Sequence, residues 1–226
     1  MNGEPRPAFY ALTGGGWRDY VTLLHPPYTL WHLSYVAIGA ALAPHMKWGL
    51  LGWTTLAFLL AMGIGAHALD ELNGRPLRTA IPAPVLVGLA AVSIAAACAI
   101  GVVAAAGTTW WLLLFIVFGA FIAVAYNLEL VGGAFHSNLW FAASWGAFPV
   151  LTAYFAAAER LRGEAFAAAA FALLMSLAQR TLSSEVRFAR RSAGDLAAAR
   201  PAELALQLLS VALPALAGAL LLARTG

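Results

Sequence analysis

Seven apolar stretches, each about 20 residues long and nearly free of charge, take up most of the sequence. That length crosses a hydrocarbon core about 30 Å thick. Inside lipid, each backbone N–H and C=O needs a partner within its own segment or around a closed barrel. The stretches are rich in Ala, Leu and Gly and lack the period-two alternation of barrel strands, so helices are expected. Charge points the same way. Only 10% of the residues are charged and 62% are hydrophobic. A soluble domain carries about 25% charged residues, so this chain cannot cover a water-facing surface of its size.

The expected spans are 28–45, 48–70, 81–106, 109–127, 138–158, 164–186 and 202–223. Breakers separate them: Pro44, Gly74 with Pro76, Gly107, Gly132-Gly133 and Gly163, with Pro201 expected to open the last span. Pro149 and Pro214 fall inside spans and should kink them. The chain reads as a single all-α integral membrane domain, 1–226, with an interfacial segment at 1–24 and a bundle at 28–223. Residues 1–20 contain Pro5, Pro7 and three consecutive glycines and have no compact apolar core, so a cleavable signal peptide is not expected.

Nine of the thirteen Lys and Arg residues fall on the N-terminus and loops 2–3, 4–5 and 6–7. The positive-inside rule therefore places the N-terminus in the cytoplasm and the C-terminus outside, in the cell inner membrane. The net charge of +3 follows from this loop bias and gives no support for nucleic-acid binding. Cys98 is the only cysteine, so neither a disulfide framework nor a Cys-rich metal site can form. Trp17, Trp48, Trp110, Trp111 and Trp140 suit interfacial belts.

Ionisable groups near the membrane gather at two span ends. The second span ends in His67, Asp70, Glu71, Asn73, Arg75 and Arg78. On a helix, His67, Asp70 and Glu71 share a face at spacings of three and four. Neighbouring carboxylates repel unless a cation lies between them, which suggests a hard-cation site. The bland alternative is a solvated helix end whose acids pair with Arg75 and Arg78. The sixth span ends in Gln179, Arg180, Ser184, Glu185 and Arg187, with Arg190 and Arg191 beyond. Arg180, Ser184, Arg187 and Arg191 form a helical row that suits a phosphate or diphosphate, or simply anionic lipid. Tyr126, Asn127, Glu129, His136 and Asn138 are placed to complete a polar mouth. His32 and Tyr35 read either as cavity-facing or as partners of a neighbouring helix, and His25 and His45 as interfacial.

Three segments resemble the UbiA-type intramembrane prenyltransferases: residues 20–44, the run from Gly65 to Leu77, and residues 144–155, which carry a Gly-x-x-Pro-Val pattern. The second is similar to that family's first Asp-rich motif, which ends in Arg-Pro-Leu. Residues 180–191 stand where the second Asp-rich motif belongs. The resemblance covers about residues 18–195 and implies a UbiA-like helical bundle. It also implies transfer of a prenyl group from a prenyl diphosphate to a lipophilic acceptor at the cytoplasmic face. Carried over, Asp70 falls on the family's Asn, Glu71 on the first Asp, Gly74 on the second, Glu185 on the second motif's first Asp, and Ala189 on its second. On that basis Asp70, Glu71 and Glu185 hold Mg²⁺. Arg75, Arg78, Arg180, Ser184 and Arg187 hold diphosphate, and Asn73, Tyr126 and Asn127 orient phosphate or acceptor. Two carboxylates of the family pattern are missing, and the spans number about seven rather than nine.

Two other readings stay open. His67, Asp70, Glu71, His136 and Glu185 suit iron, manganese or zinc, which would make the chain a metal-dependent lipid oxidase, cyclase or hydrolase. Alternatively, the chain is a non-catalytic lipid- or quinone-binding protein. In each case the partners are the bilayer and a lipophilic small molecule, and homo-oligomerisation is undetermined.

Overall fold

A computed structural model describes residues 6–12, 15–191 and 196–225. Those residues are helical and contain no β-strand. A short helix α1 (Trp17–Leu23) precedes α2 (Pro26–Leu42), α3 (Trp48–Leu72), α4 (Ala83–Gly107), α5 (Leu112–Asn127), α6 (Asn138–Ala158), α7 (Gly163–Arg191) and α8 (Leu196–Leu222). Helices α2–α8 coincide in order with the seven expected spans. Among the described residues, α3, α4, α6, α7 and α8 are long and apolar enough to cross a bilayer, whereas α5 is a shorter apolar helix. The side chains of Arg191 and Leu196 lie outside the described residues.

The helix ends follow local chemistry. Pro26 and Pro27 start α2 because a helix's first N–H groups have no partner to lose. Pro44 lies just beyond the end of that helix. Pro201, expected to open the last span, instead lies inside α8, which begins about a turn earlier. So close to the start of a helix, a missing N–H and a ring clash disturb only the first carbonyls. Two helices widen to π geometry, at Leu59–Ala66 in α3 and Ala142–Ala147 in α6. Such segments cluster at functional sites.

Two packed groups form the bundle. α2 packs on α6 and α8, and α7 packs on α6 and α8, around Trp31, Tyr35, Ile38, Val150, Ala172 and Leu213. Small residues permit the approach. A Cβ on Gly39 would collide with the carbonyl of Val150, and one on Gly146 would lie 2.6 Å from Ser176 Oγ. Within the first group, Trp31 Nε1 donates to Tyr35 OH at 2.6 Å, and Ser176 Oγ donates to the same hydroxyl at 3.4 Å. Tyr35 therefore serves helix packing. In the second group α4 lies along α3 and α5, around Leu23, Leu69, Ile81 and Leu86.

The ends of the bundle differ. One end is closed by Lys47 paired with Glu159 at 3.4 Å and by Arg224 Nη2, which donates to the carbonyls of Ala43 and Pro44 at 2.9 and 3.0 Å. The other end carries residues 6–12, the ends of α3, α5 and α7, and the start of α6, and it opens into a cavity.

Candidate functional site

The cavity depends on a loop at the end of α3, and that loop depends on Glu71. The Glu71 side chain is completely buried. Its Oε2 accepts from Leu77 N at 2.9 Å, and its Oε1 accepts from Thr79 N and Thr79 Oγ1 at 2.8 and 2.9 Å. A carboxylate surrounded by N–H and O–H groups acts as a staple for the loop. Arg75 supports the same loop, donating through Nη1 to the carbonyls of Ile81 at 2.6 Å and Thr79 at 3.3 Å. Asp19 Oδ2 on α1 accepts from Ala80 N at 2.8 Å. The loop needs this bracing because its backbone is strained: Gly74, Arg75 and Arg78 all have positive φ, at 96°, 52° and 56°.

With the loop fixed, Asp70 and Asn73 face a cavity of about 560 Å³. From α7, Arg180, Ser183 and Arg187 face it as well. Arg187 Nη1 donates to Ser183 Oγ at 3.1 Å, and Arg180 Nε donates to Asn138 Oδ1 at 3.3 Å. The Arg180 guanidinium also lies over the Phe141 ring, 5.2 Å from its centroid. Asn73 Nδ2 donates to the Asn127 carbonyl at 3.1 Å, which ties α3 to α5. Residues 7–10 cover part of the opening. Arg190 holds that segment through the Arg6 carbonyl at 3.1 Å while pairing with Glu203 of α8.

Aromatic rings line the interior. Phe141 stacks on Trp145 with centroids 5.6 Å apart, and Tyr126 lies 4.7 Å from Trp145 and 4.5 Å from His136. Tyr10 contacts Tyr28 and His25. The His25 ring lies 4.0 Å from that of His67. Burial pushes the His25 imidazole down to about 4, and nearby Arg187 acts in the same direction. Trp145 also borders a second, apolar pocket of about 110 Å³ between α3, α4, α5 and α6, lined by residues such as Met62, Ile94, Ile116 and Phe148. An aromatic and polar chamber thus adjoins a greasy one.

Of the residues singled out from the sequence, His67, Asp70, Asn73, Tyr126, Asn127, Arg180 and Arg187 share this cavity, as do Glu129 and His136. Glu71, Arg75, Arg78, Ser184 and Glu185 lie elsewhere, each for a local reason. Glu71 and Arg75 are committed to the loop, as described. Arg78 is exposed outside the cavity lining. Helical phase carries Ser184 and Glu185 to the exposed side of α7, while Ser183, Val186 and Arg187 face inward. Ser184 Oγ donates to the Thr181 carbonyl. Sequence reasoning missed Tyr10, His25, Tyr28, Gln179 and Ser183. His25 and His32 both line the cavity. The signal for Gln179 and Ser183 was available, because both lie within one helical turn of Arg180 on the inward side.

Among the described residues, the cavity contains no ready-made cluster of three metal-ligating side chains. Its acids are Asp70 and Glu129, and Glu129 lies 3.9 Å from His136. Among the described residues, no three His, Cys, Asp or Glu side chains converge on a common point. Two magnesium ions on a diphosphate need about six oxygen ligands each, and an iron, manganese or zinc site needs three or more side chains together. With Glu71 and Glu185 turned away, Asp70 and Glu129 are the carboxylates on the cavity wall, so a magnesium ion there would take most of its ligands from substrate phosphate and water.

No protein-family model and no curated protein matches this sequence. Among solved structures, the apo structure of a UbiA homolog from Aeropyrum pernix K1 superposes with a TM-score of 0.53. The match has 21% sequence identity and covers 82% of this chain and 76% of that one. The chain is therefore an all-α membrane protein with the fold of a UbiA homolog.

Proposed function

We propose that the chain is a UbiA-like transferase, which binds a prenyl diphosphate at the cytoplasmic membrane face and moves its prenyl group to a lipophilic acceptor. One observation carries this reading. In a UbiA-like fold, Arg180 and Arg187 flank the mouth of a cavity whose walls are aromatic and which adjoins an apolar pocket across Trp145. Guanidinium groups match phosphate oxygens and favour the charge that builds on a departing diphosphate. The rings of Phe141, Trp145 and Tyr126 suit a developing allylic cation. In the step, the C–O bond between prenyl carbon and diphosphate breaks, and its electron pair leaves with the diphosphate. A bond forms from acceptor to prenyl carbon, and the acceptor's proton passes to a wall imidazole. No part of this step is assigned to a metal held by the protein.

The scarcity of acids at the mouth favours a second reading, in which the same cavity binds an isoprenoid lipid without turning it over. Purified protein in nanodiscs, given labelled farnesyl diphosphate and a panel of phenolic and alcoholic acceptors with and without Mg²⁺, separates the two. Labelled product that falls at least tenfold in Arg180→Ala and Arg187→Ala supports transfer. Thermal stabilisation by farnesyl diphosphate without product supports the binder. Neither product nor stabilisation overturns both.

A further inference from the structure

Residues 6–12 cross the mouth of the cavity as a strap, and its two ends are held in different ways. The near end is fixed. Ala11 is 1% exposed, and Leu12 N donates to Thr22 Oγ1 of α1 at 2.9 Å. The far end is latched by side chains. Phe9 packs against a cluster of Val186 on α7 with Ala202 and Leu206 on α8, and its ring stands edge-on to Tyr28 with centroids 6.2 Å apart. Arg190 supplies the polar half of the latch, since its Nη1 donates to the Arg6 carbonyl at 3.1 Å while the same guanidinium pairs with Glu203.

The strap also bonds to itself. Ala11 N donates to the Ala8 carbonyl at 3.2 Å, and Arg6 Nη1 donates to the Ala11 carbonyl at 3.5 Å. Residues 6–11 therefore form one compact piece that belongs to neither a helix nor a strand. Opening it takes one ring out of a slot and breaks one hydrogen bond to its backbone, while the Arg190–Glu203 pair stays made. A segment attached in this way opens at far lower cost than the helices beneath it.

Tyr10 is the part that obstructs. Its ring lies 5.4 Å from that of Tyr28 and 5.4 Å from that of His25. Burial raises the pKa of the phenol well above its ordinary value, Tyr28 and Asp70 push it the same way, and Arg187 opposes them. Tyr10 is thus within electrostatic reach of Asp70 on α3 and Arg187 on α7, which line the cavity beside it. The latch residue Arg190 stands one helical turn beyond Arg187, so the strap closes directly over the cationic face of α7.

We propose that residues 6–10 are a gate, which pivots about Ala11 and Leu12 and admits bulky ligands only when Phe9 leaves its slot and Arg190 releases the Arg6 carbonyl. This goes beyond the transferase reading, because a gate governs access whether or not the ligand reacts. Loosening such a gate speeds entry and exit together.

The test uses the full-length protein in detergent with His25→Cys as a reporter beneath Tyr10, labelled by fluorescein-5-maleimide and followed by peptide mass spectrometry. The native Cys98 is the internal reference, because it lines the apolar pocket, to which the strap does not contribute. Phe9→Ala and Arg190→Ala should each raise the labelling rate at the reporter by about tenfold, as the open population rises, and leave Cys98 unchanged. Phe9→Leu, which keeps the slot filled, should label at nearly the parent rate. A rate unchanged in either alanine variant, or a rise matched at Cys98, would overturn the proposal. If His25→Cys does not fold, His67→Cys on the same cavity wall takes its place as reporter. Gated labelling in a protein that transfers nothing removes the enzyme and keeps the gate; transfer with ungated labelling does the reverse.

Discussion

Glu71→Gln separates a structural from a catalytic acid at a single atom. The wild-type carboxylate accepts three bonds, two at Oε1 and one at Oε2, from fully buried surroundings. A glutamine can keep its oxygen toward Thr79, but its NH₂ then meets the N–H of Leu77, donor against donor. One charge-assisted bond, worth about 1.5–3 kcal/mol, is lost, and a buried N–H is left unpaired. The loss should come to about 2–4 kcal/mol, which lowers the melting temperature by roughly 4–16 °C for a chain of this size. The assay is a melting curve in detergent with and without farnesyl diphosphate. Because Glu71 does not face the cavity, the stabilisation gained from farnesyl diphosphate at a temperature where both forms are folded should match wild type. The reasoning fails if the variant melts like wild type but no longer responds to farnesyl diphosphate with Mg²⁺. That pattern would make Glu71 a metal ligand and the three bonds incidental.

Three further outcomes are expected. Gly39→Ala forces a methyl into the Val150 carbonyl, and separating α2 from α6 should cost about 3 kcal/mol or more, read as a lower melting temperature with little change in helical circular dichroism at 20 °C. Arg180→Ala and Arg187→Ala should each weaken farnesyl diphosphate binding by about ten- to a hundredfold, since each removes a charge-assisted contact worth about 1.5–3 kcal/mol; Arg190→Ala, whose partners are Glu203 and the Arg6 carbonyl, should weaken it less, and an equal effect would contradict the assignment. His25, with its pKa lowered from an ordinary 6.5 to about 4, makes the fold acid-sensitive. Between those values the unfolded chain binds a proton that the folded chain does not, so stability is full above pH 6.5 and falls by up to about 3 kcal/mol as pH drops toward 4; His25→Gln should reduce the loss of melting temperature between pH 7 and pH 4.5, and an identical loss in both proteins would rule out His25 as its source.

The bundle was legible because lipid leaves a chain few choices. Each apolar run of sufficient length has to satisfy its own backbone, so length and composition locate the helices, and breakers such as Pro44 and Gly107 bound them. The errors lie where local rules compete. Pro201 reads as a helix start, yet a proline near the first turn loses so little that α8 can begin earlier. The π segments in α3 and α6 left no sequence signature, although they shift the helical phase of the residues after them.

That phase is also why the site was only half legible. Placing His67, Asp70 and Glu71 on one face assumes that spacings of three and four are equivalent on an α-helix. Where a helix ends in a strained loop, they are not. Asp70 turns into the cavity, and Glu71 turns into the loop because unpaired N–H groups at Leu77 and Thr79 wait there. On α7 the arginines were recognised by charge, while Gln179 and Ser183 were passed over because neutral polar residues in a membrane helix usually look like helix glue. The structure makes the distinction the sequence cannot. A helix-packing side chain has its partner, as Ser176 has in Tyr35, whereas Gln179 Oε1 is buried without one, in a residue that lines the cavity.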